Sequence, residues 1–239
     1  MMLWLSSLWF NIVFYGTNVF MALLLMWTML ISRKATVWGV HVWLSAVDWV
    51  ENHLGGIKHV VIGREYIPEG PCIIAAKHQS EWETFKLHLL LNDPSIVLKS
   101  ELLRIPVIGW YMMRVGSIPI DRNTRGRALT EMLEASRKAV AEGRPIAIFP
   151  EGTRARPGEN PPYKAGIGFL YEELNIPVVP MALNSGLLWP AESFIKKRGT
   201  ITIEFLPLIP AGLSREEMMQ RLRDTLEPAT ARLVNLNPS

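Results

Sequence analysis

The hydrophobic pattern of this chain changes character twice. Leu3 to Ile31 is almost continuously apolar and carries no charge, with Asn11, Thr17 and Asn18 as polar positions near its middle. As one helix it would extend roughly 43 Å, more than the ~30 Å hydrocarbon core of a bilayer requires. Two arrangements fit. One is a tilted single span with Arg33-Lys34 on the cytoplasmic side; the other breaks at Gly16-Thr17-Asn18, leaving two short pieces inserted in one leaflet. A cleaved signal peptide fits poorly, because the start lacks a basic region and the run is too long. Ala35 to Leu54 reads as a second helix with a narrow polar stripe of His41, Ser45, Asp48 and Asn52. Trp38, Trp43 and Trp49 fill the remainder, as expected of a helix in the interfacial zone, although an amphipathic helix packed on a domain has the same pattern. His41 and His53 have no ligand-like spacing and read as polar helix residues.

From Lys58 onward the apolar runs become short and are bounded by turn residues. Lys58–Tyr66, Ile73–Ala76, Ser95–Lys99, Ser117–Ile120, Ile146–Phe149, Val178–Leu183 and Thr200–Leu206 read as strands. Val107–Val115, Thr124–Val140 and Lys164–Asn175 read as helices between them. A last helix is capped by Ser214, with Glu216 and Glu217 in its first turn. Strands interleaved with helices predict an α/β fold, a mostly parallel sheet flanked by helices, with an N-terminal apolar helical segment that binds membrane. The division falls at 1–54 for the membrane-embedded or interfacial segment and 55–239 for the α/β domain. Ligands gather at the carboxyl ends of such strands. His78, Lys99, Arg122, Glu151 and Arg154 all fall at or just past those ends.

Composition adds a little. Every Lys, Arg, Asp and Glu lies after residue 32, so the net charge of +3 belongs to the remainder of the chain. That mild positive balance favours anionic partners such as lipid headgroups and does not call for nucleic acid. The single cysteine, Cys72, excludes an intrachain disulfide; in an apolar strand it reads as buried and inert, and a reducing compartment fits.

The chemistry concentrates at Lys77-His78-Gln79-Ser80-Glu81-Trp82-Glu83. His78 lies in the loop after a buried strand, and Glu83 falls in the first turn of the helix that follows. The carboxylate can reach back to the imidazole, fix its tautomer and stabilise the imidazolium. Ser80-x-x-Glu83 is equally a capping box, in which Glu83 would only satisfy a backbone donor. No Gly-x-Ser-x-Gly or phosphate-loop pattern is present. His78 and His88 as metal ligands lack a supporting His-Glu-x-x-His or cysteine cluster, so no metal is expected.

Four blocks in order carry a family resemblance. They are His78 to Glu83; Lys99 with Gly109 and Ile118-Pro119-Ile120-Asp121-Arg122; Phe149-Pro150-Glu151-Gly152-Thr153-Arg154; and Val178-Val179-Pro180. Across roughly Lys58 to Leu206 the chain resembles the glycerolipid acyltransferase family, and most closely its bacterial 1-acylglycerol-3-phosphate acyltransferases. One departure stands out: the first block ends in Glu83 where the family pattern has Asp. The resemblance implies transfer of a fatty acyl group from a thioester carrier, acyl-coenzyme A or acyl carrier protein, to a lysophospholipid hydroxyl, with no other cofactor. His78 and Glu83 would be catalytic. Lys99, Arg122, Glu151, Gly152, Thr153 and Arg154 would form the phosphate-binding set, with Glu151 orienting an arginine or a glycerol hydroxyl and Pro180 structural. It also implies a place at the bacterial inner membrane, catalytic domain on the cytoplasmic side. The rival readings are an acyltransferase for another lysolipid and a non-catalytic lipid-binding membrane protein of the same fold.

Overall fold

The structure, a computed structural model, describes residues 2–121 and 125–236. Its centre is β2 (Ile73–Ala76), whose four residues are all buried. Successive side chains of a strand point to opposite faces. Ile73 and Ala75 therefore enter one apolar cluster while Ile74 and Ala76 enter the other. This is the pattern of a strand covered on both faces, as parallel sheets require. The other strands are β1 (Ile57–Ile62), β3 (Ser95–Lys99), β4 (Ile118–Ile120), β5 (Ile146–Ile148), β6 (Val178–Leu183) and β7 (Gly199–Phe205). The sheet order is β1-β7-β6-β2-β5-β3-β4, and every pairing is parallel except β6 with β7.

One face of the sheet is covered by α1 (Met2–Leu24), α2 (Thr28–Ile31), α3 (Arg33–Val50), α4 (Trp82–Leu90) and α5 (Ile108–Val115). The opposite face carries α6 (Arg125–Ala141), α7 (Ala165–Leu174) and α8 (Arg215–Leu236). The carboxyl ends of β6, β2, β5, β3 and β4 share one edge, because these five neighbours run the same way. That edge holds the site.

The apolar start does not break where one of the two expected arrangements puts the break. Gly16-Thr17-Asn18 lies inside the continuous helix α1, and the chain turns instead at Leu25–Trp27, before α2. Ser7 and Asn11 of α1 face the domain, and Asn18 faces α3. Asn11 donates to the Phe194 carbonyl at 3.0 Å, Ser7 accepts from the Lys196 N–H at 3.1 Å, and Asn18 accepts from Trp43 Nε1 at 3.1 Å. Phe10 and Phe14 are buried beside Trp189, with ring centroids 5.4 and 4.9 Å away. The residues contacting the domain recur every three or four positions, so they form one helical stripe. The other side exposes Leu5, Trp9, Ile12, Val19, Phe20 and Leu23. Trp38 and Trp49 of α3 are exposed as well, but Trp43 is buried on the domain side, so the three tryptophans do not share one environment.

Candidate active site

Glu83 is the point on which the site is built. Its side chain is fully buried, and Oε1 accepts from His78 Nδ1 at 2.9 Å and from the backbone N–H groups of Gln79 and Ser80 at 2.7 Å each. Oε2 accepts from Ser185 Oγ at 2.8 Å. The capping and histidine-pairing roles, which the sequence presents as alternatives, are filled by the same carboxylate. Ser80 Oγ completes the helix start by accepting from the Trp82 N–H at 2.8 Å. Burial alone would raise the Glu83 pKa; the hydrogen bonds and charge of His78, with those from Ser80 and Ser185, outweigh it and hold the carboxyl below the usual range. An ionised carboxylate only accepts, so the His78 proton sits on Nδ1 and the Nε2 lone pair is left for chemistry. The imidazole stacks on Phe149 at 4.0 Å and 21°, which fixes its plane.

The backbone of His78 is held by the turn after β5. Its carbonyl accepts from the Ala155 N–H at 2.8 Å, and its N–H points at Glu151 Oε2, 3.4 Å away. Behind this loop lies a buried charged cluster. Lys77, 1 % exposed, pairs with Glu151 and also donates to both carboxylate oxygens of Glu227 on α8, at 2.9 and 2.7 Å. Tyr163 donates to Glu227 at 2.6 Å. Burial pushes the Glu151 carboxyl up, and Lys77 pulls against that shift.

A cavity of about 1940 Å³ opens beside the imidazole. Its polar wall includes His78, Lys99, Asp121, Gly152, Thr153 and Arg154, from the ends of β2, β3, β4 and β5. Its apolar wall draws on α1, α3, α4 and α5, with Phe14, Trp43, Phe85 and Ile108 among the lining residues, and on Leu129 of α6 and Ile167 of α7. His88 also lines the cavity, about 9 Å along α4 from Trp82. Burial brings its pKa down to about 4, and the charges of His41 and Arg144 act in the same direction, so it is neutral. Tyr15 of α1 reaches the cavity and donates to Glu81 at 3.0 Å, which also accepts from Trp189 Nε1 at 3.2 Å.

The residues expected at the site are therefore distributed as follows. His78, Lys99, Gly152, Thr153 and Arg154 converge on the cavity, and Glu83 supports His78 from behind. Glu151 is turned away from the cavity wall and spends its charge on Lys77, so it stands apart from the other members of the phosphate set. Gly152 has φ 65, the left-handed region that favours glycine, and its N–H donates to the Phe149 carbonyl at 3.0 Å, shaping the turn. Arg122 lies outside the described residues. Lys77, Ser185 and Glu227 escape sequence reasoning. Lys77 and Ser185 do follow strands, β2 and β6, at the same edge of the sheet, whereas Glu227 on α8 carries no such signal. Among the described residues no three His, Cys, Asp or Glu side chains converge as a metal site would require.

Comparison with known proteins places this arrangement. The acyltransferase family profile matches residues 58–184. A 1-acyl-sn-glycerol-3-phosphate acyltransferase of Pseudomonas aeruginosa is 35 % identical over 77 % of this chain and 79 % of its own length. The human 1-acyl-sn-glycerol-3-phosphate acyltransferase beta is 30 % identical over 62 % of the chain, which spans about half (54 %) of that protein. The crystal structure of the 1-acyl-sn-glycerophosphate (LPA) acyltransferase PlsC from Thermotoga maritima superposes with a TM-score of 0.77. It covers 98 % of this chain and 97 % of its own at 20 % identity, a likeness of fold. With His78 paired to an acid at the end of β2 and the Phe149–Arg154 block closing the same cavity, the chain belongs to the acyltransferase family.

Proposed function

We propose that this protein transfers a fatty acyl group from a thioester carrier, acyl-coenzyme A or acyl carrier protein, to the free hydroxyl of a 1-acylglycerol-3-phosphate, giving phosphatidic acid. The observation that carries the reading is the 2.9 Å bond between His78 Nδ1 and Glu83 at the wall of a cavity that also holds Lys99 and Arg154. A lipid alcohol is a weak nucleophile near neutral pH and needs a base at hydrogen-bond range. His78 Nε2 takes the hydroxyl proton as the oxygen attacks the thioester carbonyl. Glu83 stabilises the imidazolium that forms. Collapse of the tetrahedral intermediate breaks the carbon–sulfur bond, and the imidazolium returns its proton to the departing thiolate. Arg154 and Lys99, with Thr153 beside them, hold the acceptor's phosphate, for which a guanidinium fork is the best match. Arg122 stays in the phosphate set by its place after β4. Glu151 acts through Lys77 and the His78 loop. The acyl chains occupy the apolar part of the cavity.

The segment 1–54 anchors the enzyme, and 55–239 forms the α/β domain that does the chemistry. α1 is bonded to the domain from Ser7 to Tyr15. A span through both leaflets would carry that domain surface into hydrocarbon with it, so α1 lies in one leaflet. The exposed apolar side of α1 supports membrane association; a place at a bacterial inner membrane, with the domain on the cytoplasmic side, belongs to the same reading.

The test is an acceptor and donor panel with purified protein in lipid. Transfer is expected to be fastest to lysophosphatidic acid, ahead of other lysolipids. Arg154→Ala should weaken that acceptor by roughly 1.5–3 kcal/mol, the worth of a hydrogen bond to a charged group, and leave monoacylglycerol unaffected. Equal losses on both acceptors would remove the phosphate role. Lipid binding without turnover by either donor would favour the non-catalytic reading.

A further inference from the structure

The stretch from Ser100 to Val115 is apolar on two sides. It comprises a 3-10 turn, Ser100–Arg104, a tight bend at Ile105–Val107, and α5. Its inner side belongs to the enzyme: Ile108 and Met112 line the cavity, and Tyr111 and Val115 are buried. Its outer side presents Trp110 and Met113, 49 % and 54 % exposed, with Ile105 at the bend exposed too. A helix apolar around most of its circumference is not matched to water on its outer side. Arg104 and Arg114 are exposed beside these residues.

The bend is held in an unfavourable conformation. Val107 has φ 65 and ψ −57, an outlier for a β-branched residue, and the Ile108 N–H closes onto the Pro106 carbonyl at 2.8 Å. Gly109 is compelled by the same bend, because a Cβ there would lie 2.1 Å from the Leu103 carbonyl oxygen. Strain of this kind persists where the surroundings over-determine it, and it collects at functional segments. Here it keeps Ile105 and Pro106 at the surface.

α5 is continuous with the apolar face of the N-terminal helices. Tyr111 donates to the Ala22 carbonyl at 2.9 Å, Trp43 and Tyr111 meet edge to face at 5.3 Å, and Arg33 Nε donates to the Val115 carbonyl at 3.2 Å. The exposed Trp27, Leu30 and Ile31 at the α1–α3 junction thus lie on the neighbouring elements. We propose that residues 100–115 form a second membrane contact, with Ile105, Trp110 and Met113 in the interfacial zone and Arg104 and Arg114 on anionic phospholipid headgroups. Leu102 and Ile105 are both exposed and part of the cavity lining, so the cavity meets the bilayer at this segment. A lipid chain enters there sideways from the leaflet. The entrance rests on the acyl-transfer reading; the contact does not.

Cys72 is fully buried, so Met113→Cys gives the full-length protein one accessible thiol for an environment-sensitive fluorophore. Trp27→Cys on the N-terminal helices and Lys138→Cys on the opposite face of the sheet are the references. On vesicles of phosphatidylethanolamine and phosphatidylglycerol, the probe at 113 should be quenched by acyl-chain nitroxide and shielded from iodide as the probe at 27 is. A probe at 113 that stays open to iodide like the one at 138 overturns the proposal. So does shielding of 113 by acidic acyl carrier protein but not by vesicles. Arg104→Gln and Arg114→Gln should each lower affinity for these vesicles about fivefold and leave affinity for neutral vesicles unchanged; no loss on either lipid overturns the headgroup role. None of these readouts needs turnover, so an inactive protein would overturn the proposed reaction and leave this contact standing. Trp110→Cys repeats the labelling if Met113→Cys does not fold.

Discussion

At the scale of residues, the site depends on one carboxylate doing two jobs. Glu83 gathers donors from a ring nitrogen, two backbone amides and a hydroxyl. Its depressed pKa has a consequence for stability that follows in sign. A carboxyl whose native pKa lies below its unfolded value of about 4.3 contributes fully above that value and loses the contribution as pH falls through the native one. Glu83→Gln removes this dependence. The stability gap between wild type and variant, read from denaturant midpoints, should hold steady above about pH 5 and close toward acid; a gap unchanged by acid would contradict the ion-pair account. Lys77 poses a second test. It sits buried between two carboxylates, and removing one partner of a buried ion pair strands the rest. Lys77→Met should cost about 3–5 kcal/mol in thermal unfolding, and Glu227→Gln added to it should recover part of that loss. A Lys77→Met protein as stable as wild type would show that the cluster does not order the His78 loop.

At the scale of elements, α1 is the instructive case. Its polar residues looked in sequence like interruptions of a membrane segment. In the fold, Ser7 and Asn11 fasten the helix to the domain and Asn18 fastens it to α3. The break that one arrangement put at Gly16 is absent: α1 runs through it, and the chain turns at Leu25–Trp27. Phe14, wholly buried, anchors the same side of α1. Phe14→Ala should destabilise by about 3–5 kcal/mol and expose α1 to limited proteolysis, whereas an unchanged melting temperature would mean that α1 is loosely held. The strands were far more legible. Ile73–Ala76 and Val178–Leu183 match the apolar runs that predicted them, because strands buried on both faces have no polar positions to blur their ends; Ser95–Lys99 matches too, its end marked by the exposed Lys99. The reversed direction of β1 and β7 left no mark in the sequence, since burial pattern does not encode strand polarity. Nor did the Lys77–Glu227 pair, whose partners are brought together only when α8 packs on the sheet.

At the scale of the whole molecule, the parallel strands bring residues far apart in sequence to one edge, and the helices on one face supply both much of the cavity's apolar wall and the exposed apolar surface of α1 and α3. His78, Lys99 and Arg154 were readable in advance because each follows a strand whose end could be placed. Ser185 and Lys77 also follow strands, but their partners, Glu83 and Glu227, are met only across the fold, so their roles were not readable. On the proposed reading, one layer of helices links the bilayer to the edge that holds His78, and lipid substrates reach the imidazole without crossing water. The most direct test of this account is the chemical role of His78. Single-turnover acyl transfer to lysophosphatidic acid by His78→Ala, with acceptor binding measured on the same protein, should be slower by about 10²–10⁴ at unchanged affinity. A variant that transfers at the wild-type rate would show that another group takes the proton.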